Sequence, residues 1–419
     1  MRRAFLVAVL VAAAACRRSS DASTTTDGGA DEGVAPTTAA PPTIAPSRCH
    51  PAGAGVPLAS PQDLELGDAL AVGDGWALGL VHRTPAGRVG AVAFLGKDVS
   101  SARVVDLGAT LGDAPPPRLA ARGADVVAAS YVLPKKSDGR ELALSLVAGG
   151  STAKPLATIA QQRDDSFAFD LSPGLVAWDE AVAGPTPRGV VRIAEVSADH
   201  AGAARDASPP DDDAEMPRIL PTRDPSRAFV LWIARRPETA RLTDAAAVDE
   251  ATGEVRAQSW VEAVEVDAAG APVGPVRRLT SAVGHVSGFD ATLLAGEARP
   301  TLLVVARDDG EAVDGSGGTL LRVRLREDGA EPPLALPGDG LGRGAPTLVD
   351  GPLPWLAWIG PHEELRLLAL DAAGAPAAAP SAEPLLDEAR VLAVVGGDRV
   401  LVGAPGDAAA SLQVFACPR

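Results

Sequence analysis

The strongest constraint in this chain is a short apolar segment that recurs without alternation. GWALGLVHR, DVVAASYV, LVAWDEA, FVLWIAR, TLLVVAR, WLAWIG and RVLVGAP occupy the same place in successive units from Asp68 onward. Being apolar on both faces, they read as strands sandwiched between neighbouring sheets, where the usual period of two disappears. The fullest copy runs from Arg227 to Gly270. It joins RAFVLWIARR through a long polar insert to SWVEAVEVDAAG, two antiparallel strands of one sheet.

Each unit reads as an apolar strand, a tight turn, the doubly apolar strand, a loop, a third strand, a turn and a fourth strand. Third strands such as RVGAVAFL, GVVRIAEV, WVEAVEV, LLRVRLR and LRLLAL alternate better, as half-exposed strands should. Two of them run into an identical segment, Asp267 to Pro272 and Asp371 to Pro376, and Asp328-Gly329 fills the same place in another unit. Glycine there supplies the positive φ that a hairpin turn requires. Fourth strands carry Pro and Leu, at Pro155-Leu156, Pro275 with Leu279, Pro333-Leu334 and Pro384-Leu385. Proline, lacking an N–H, suits an outer edge.

First strands begin near Ala69, Arg118, Phe167, Arg218, Ser287, Pro346 and Arg390, spaced by 49, 49, 51, 69, 59 and 44 residues. That spacing fits four-stranded propeller blades with loop insertions. The expected fold is therefore all-β, a seven-bladed β-propeller of four-stranded antiparallel blades. The last unit stops at its third strand, Leu412 to Ala416, and its missing strand appears at the other end of the chain, in Gly55 to Ala59. The N-terminal strand is expected to complete the last blade and close the ring. Such a pairing would bring Cys49 and Cys417 together, and a disulfide there would add about 5–6 kcal/mol on a chain-entropy argument.

At 419 residues and 46% hydrophobic content the chain can bury several repeated cores. Abundant Ala, Gly, Pro and Arg, with Lys at positions 97, 135, 136 and 154, suggest a GC-rich genome, so Ala is poor evidence for helix. The formal charge of −16 repels phosphate backbones, which argues against a nucleic-acid partner.

Residues 1–15 read as an export signal, with Arg2 and Arg3 ahead of an apolar run too short to span a bilayer. The run ends in Ala13-Ala14-Ala15-Cys16, which resembles the bacterial lipobox, although Ala13 stands where Leu is commonest. Lipidation of Cys16 is preferred over ordinary cleavage near Ala15, because residues 16–48 then make sense as a tether. That stretch is polar, low in complexity and rich in Ser, Thr, Ala and Pro, with a reach of roughly 30 Å. Residues 49–419 form the expected propeller. With Cys16 lipidated, Cys49 and Cys417 remain, one at each end of the folded region; a metal site is the weaker reading, since His50 is the nearest further ligand type.

Taken together, these units resemble those of seven-bladed propellers, and more narrowly the repeat lipoproteins of myxobacterial type. The narrower likeness rests on Trp178, Trp232 and Trp358 in second strands and on third strands that end in Asp-x-x-Gly. Functions in that group are mostly unassigned, so the resemblance implies a fold and an envelope address. WD-repeat and kelch signatures are absent. Ala247 to Gly253 is similar to the turn of quinoprotein-like propellers, but it occurs once and Ala257 stands where that motif wants Trp. No quinone or other cofactor is expected.

In such a topology the loops between second and third strands share one face with the connections between blades. The long ones fall there: Leu133 to Arg140, Arg236 to Arg256, Asp308 to Gly318 and Ala207 to Met216. Long irregular loops grouped on one face are the default interaction surface. The candidate residues on it are Arg83, Asp211, Asp212, Asp213, Arg235, Arg236, His285, Arg307, Asp308, Asp309 and His362. Each has a plainer role. The acids from Asp211 to Glu215 fit a solvated loop better than a calcium loop, whose ligands alternate. Asp308, Asp309 and Asp314 are weak calcium candidates that turn chemistry explains as well. Arg83, Arg235 and Arg307 end second strands, where an anion grip competes with inter-blade salt bridges. His82, His285 and His362 lie in separate blades without a metal-binding pattern.

Catalytic signatures are sparse. The chain has no Gly-x-Ser-x-Gly elbow and no phosphate-cradling loop, and Asp314 to Thr319 misses the spacing of a sialidase Asp-box. Aromatic residues total 3%, and Tyr131 is the sole tyrosine, too few for a sugar or single-strand platform. The sequence points to a non-catalytic lipoprotein of the outer membrane that binds an envelope or extracellular protein through its long-loop face. An envelope hydrolase of glycosidase type, with carboxylates drawn from distant loops into the central mouth, is the competing reading.

Overall fold

The computed structural model describes most residues between His50 and Ala416. Outside the described set lie 1–49, 53–55, 58–64, 97–98, 100–101, 134–139, 150, 162–167, 183–187, 198, 237–257, 296–300, 311–317, 338–339, 343, 350–352, 384–389, 396–398, 405–410 and 417–419. The expected signal, Cys16, the expected tether, Cys49, Cys417, Asp314 and the Ala247 to Gly253 motif all fall there.

The described chain opens with two short strands, β1 (His50–Pro51) and β2 (Val56–Pro57). Blade one is β3 (Glu65–Val72), β4 (Gly75–Thr84), β5 (Gly87–Leu95) and β6 (Ala102–Ala109). Blade two is β7 (Arg118–Arg122), β8 (Asp125–Val132), β9 (Arg140–Ala148) and β10 (Thr152–Gln161). Blade three is β11 (Phe169–Leu171), β12 (Leu175–Val182), β13 (Arg188–Glu195) and β14 (Arg205–Asp206). Blade four is β15 (Asp213–Pro221), β16 (Arg227–Arg236), β17 (Gln258–Asp267) and β18 (Arg277–Arg278). Blade five is β19 (Val286–Leu294), β20 (Thr301–Asp308), β21 (Thr319–Arg326) and a fourth strand in two pieces, β22 (Gly329–Ala330) and β23 (Leu334–Ala335). Blade six is β24 (Thr347–Val349), β25 (Trp355–Ile359), β26 (Leu365–Ala369) and β27 (Ser381–Glu383). The last sheet holds β28 (Arg390–Val395), β29 (Arg399–Ala404) and β30 (Ser411–Ala416).

Every pairing between these strands is antiparallel and follows chain order within a blade, as the hairpin signals require. The expected count of seven blades is corrected: among the described residues six blades are built from consecutive strands. The remaining sheet is composite. Its fourth position is filled from the far end of the chain, where β1 pairs β30 with His50 opposite Ala416 and β2 pairs it with Val56 opposite Leu412. Among the described residues the unit after blade six has three strands of its own, so an edge would stay open without that contribution. The N-terminal strand expected from Gly55 to Ala59 is thus in place, but split.

The composite sheet is packed on both faces. Leu401 and Leu412 join Leu66, Trp76, Leu78 and Leu80 of blade one, while Val400, Val402 and Phe415 join Trp355, Leu365 and Leu367 of blade six. The other clusters likewise lie between successive blades. Tyr131 and Leu144 meet Phe169 and Trp178, and Ile193 meets Trp232 and Trp260. This explains the doubly apolar second strands: in β8 every residue from Val126 to Tyr131 is buried, because one face packs on the preceding blade and the other on the following one. Tyr131 lies fully buried in that strand, edge-on to Phe169 with ring centroids 5.2 Å apart, and not in the mouth. Trp178, Trp232 and Trp355 are likewise buried wedges.

The repeated Asp-Ala-Ala-Gly-Ala-Pro segment makes the same turn twice. Asp267 Oδ1 accepts the N–H groups of Ala269 and Ala271, and Asp371 Oδ1 accepts those of Ala373 and Ala375. Gly270 and Gly374 sit at φ +77 and +71, and a Cβ at either would press on Ile193 or Leu303 of the preceding blade.

Candidate functional site

Antiparallel succession brings the second-to-third-strand loops and the blade-to-blade connections to one end of the ring. Ser259, at the start of β17, forms a parallel bridge with His285, just before β19, and its N–H donates to Gly284 O at 2.8 Å. Blades four and five therefore touch at the rim where the long loops were expected; the loop residues 134–139, 237–257 and 311–317 lie outside the described residues.

Along that rim, charged side chains tie blades and turns together. Arg307 donates through Nε to Asp309 Oδ1 at 2.6 Å and through its Nη1 to the carbonyls of Gly342 and Gly344, on the connection into blade six. Asp308 Oδ1 accepts the N–H of His285 at 3.1 Å and that of Gly310 at 2.9 Å, so its geometry is that of a turn cap. Among the described residues no three His, Cys, Asp or Glu side chains converge as a metal cage would require. The His362 N–H donates to Glu364 Oε2 at 2.8 Å, and Arg366 Nε donates to Oε1 at 2.7 Å. Burial pushes the Glu364 carboxyl up, but these backbone and guanidinium bonds outweigh it and hold the group below the ordinary glutamate value. Arg83 is exposed at the end of β4, in a different blade from Arg235 and Arg307.

The acidic run that begins at Asp211 is not one solvated loop, and that expectation is corrected. Asp211 is exposed, but Asp212 is buried, because the chain turns inward to start β15 and Arg188 donates to the Asp212 carbonyl at 3.2 Å. Asp213 Oδ1 accepts the Gly189 N–H at 2.5 Å, and Glu215 pairs with Arg235 of the same blade. Arg236 follows at the end of β16.

Two sets of side chains join blades through contacts that the sequence did not show. The first links the first strands of neighbouring blades. Arg218 of blade four donates to Asp290 Oδ1 of blade five at 2.9 Å from Nε and 2.7 Å from Nη2, and to Asp170 Oδ1 of blade three at 3.2 Å. Both acids also accept a backbone N–H from the next blade's first strand, Ile219 to Asp170 and Leu348 to Asp290, each at 2.8 Å. Arg118 and Asp68 pair in the same way between blades two and one. The available signal was the dipeptide Phe-Asp, which recurs at 169–170 and 289–290 in first strands.

The second set lies at the seam of blades three and four. Asp179, buried within β12, accepts the Met216 N–H through Oδ2 at 3.0 Å, beside Glu215. Burial is the largest influence on Glu215 and raises its pKa; Arg235 lowers it, Asp179 and Asp213 raise it further, and the balance lies above the ordinary 4.5. An acid inside the apolar LVAWDEA strand was the sequence signal for Asp179.

No protein-family model and no curated protein matches the chain. Solved structures do. The polysaccharide lyase Uly1 superposes with a TM-score of 0.53 at 8% identity, over 84% of this chain and 90% of that one. An ulvan lyase of the PL25 family gives 0.52 at 10% identity, over 87% and 96%. A prolyl endopeptidase gives 0.46 at 13% identity over 84% of this chain and 45% of its own, so the chain spans less than half of that enzyme. At such identities the likeness is one of fold.

Proposed function

We propose that this propeller is the folded part of a lipid-anchored cell-envelope protein and acts as a non-catalytic scaffold, presenting its long-loop face to an envelope or extracellular protein. The observation that carries this reading is how the described charged groups of the face are used. Arg307, Asp308, Asp213 and Asp179 each bond a backbone group of the adjoining blade or turn. A rim held this way is a rigid frame for loops of varied length, which is what a binding surface needs.

The anchor at Cys16, the outer-membrane address and the tether over 16–48 belong to the same proposal. So does a Cys49–Cys417 disulfide, which is supported by the register beside it: His50 faces Ala416, and each cysteine is the neighbouring residue in the sequence. Peptide mapping without reductant tests the disulfide, and loss of a diacylglycerol mass on Cys16→Ala tests the anchor.

Cross-linking in the native cell, followed by affinity recovery and mass spectrometry, tests the scaffold. One protein recovered repeatedly, and lost when the insert at 236–256 is shortened, is the expected result; recovery of nothing above the Cys16→Ala control refutes it.

The hydrolase reading keeps one observation in its favour, the raised carboxyl of Glu215, since a carboxyl that keeps its proton is what a general acid needs. Turnover of envelope glycans that is abolished by Glu215→Gln would replace the scaffold with an enzyme.

A further inference from the structure

The first strand of blade four is distorted where it meets blade three. The pairing of β15 with β16 slips between Glu215 and Arg218, and Met216 sits at φ 55, a left-handed conformation that costs any residue but glycine. The bulge aims the Met216 N–H across the seam at Asp179. Asp213 crosses the same seam in the opposite sense, to the Gly189 N–H. Glu215 lies between these two contacts, next to the N–H that Asp179 holds and two residues from Asp213, hence on the same face of the strand.

The charges around it are unbalanced. From β16, Arg235 stands opposite Asp213 in register and bonds Glu215. From β13, Arg188 is turned to the Asp212 carbonyl. From β12, Glu180 is directed to Arg192 and Trp178. Farther along β15, Arg218 is engaged with Asp170 and Asp290. Among the described residues Glu215 thus pairs with Arg235 while two further carboxylates, Asp179 and Asp213, stand close enough to repel its charge at a half-buried seam.

We propose that the seam between blades three and four is a proton-operated latch, closed while Glu215 is protonated and loosened when Glu215 becomes the third negative charge beside Asp179 and Asp213. A carboxyl that holds its proton more firmly in the folded state stabilises fully below the ordinary glutamate value, and that contribution is lost as pH rises through its folded value. The raised Glu215 carboxyl therefore makes the latch tightest in acid. This inference does not depend on what the face binds or on catalysis.

Hydrogen–deuterium exchange of the full chain, corrected for intrinsic rates between pH 4.5 and 8, tests it. Protection of the Met216 and Gly189 amides should fall by about fivefold with rising pH relative to Ile219 and Leu348, which other acids hold. Glu215→Gln should abolish the fall, and Asp213→Asn should move it to lower pH by removing one repelling charge. The second variant decides the matter if the first does not fold. Protection that is flat in the wild-type protein, or a fall that neither variant alters, overturns the latch.

Discussion

Replacing Arg218 by Met should weaken three blades at once. Its guanidinium lies between Asp170 and Asp290, which are only 4% and 5% exposed, so its loss strands two buried carboxylates without their cation. Breaking a buried pair costs about 3–5 kcal/mol. Two features reduce this: the Arg218 side chain is 26% exposed, and each acid keeps a backbone donor, Ile219 or Leu348. An expected loss of about 2–4 kcal/mol remains. For a domain of this size this lowers the thermal midpoint by roughly 3–5 °C, measurable through the fluorescence of the buried tryptophans. The triple variant with Asp170→Asn and Asp290→Asn removes the stranded charges, and it should recover about half of the loss. An Arg218→Met protein within about 0.5 kcal/mol of wild type, or a triple variant that is worse than the single one, would refute the account of Arg218 as an inter-blade staple.

Three further substitutions probe other levels of the fold. Gly374→Ala should cost about 2–3 kcal/mol in urea unfolding, since its Cβ would come within 2.8 Å of Leu303 Cδ1 at φ +71. Gly123→Ala, at φ +65 with nothing nearby, should cost only about 1 kcal/mol. Trp260→Phe should destabilise by about 1 kcal/mol more than Trp232→Phe, because Trp260 Nε1 serves buried Glu262 at 2.7 Å whereas Trp232 Nε1 has no acceptor among the described residues.

What could be read in the sequence was what repeats locally. The apolar second strands, the alternating third strands and the Asp-Ala-Ala-Gly-Ala-Pro turns depend on neighbours a few residues away, and the strands formed where those patterns stand. The strand at Val56 was legible for a different reason: the last unit lacked a fourth strand. The count of seven failed at the same place, because the fourth position of the last sheet is filled by two separate short strands and not by a strand of its own unit. The site was less legible. Arg218 reaches Asp170 and Asp290 across separations of 48 and 72 residues, and Asp179 reaches Met216 across 37. Contacts of that range depend on the closed ring, and composition and period carry no trace of them. Asp212 was misread because an acidic run looks solvated unless the inward turn before β15 is known.

The seating of β1 and β2 on β30 has a consequence for assembly. A chain that emerges from its N-terminus first presents these strands long before their partner exists, since His50 waits for Ala416. Blades one to six can form as they appear, but until β30 arrives they make an open ribbon whose two end sheets each expose an apolar face. The interval between emergence of blade one and arrival of β30 is when this protein is most exposed to aggregation, and a chaperone that acts on it would have to bind then.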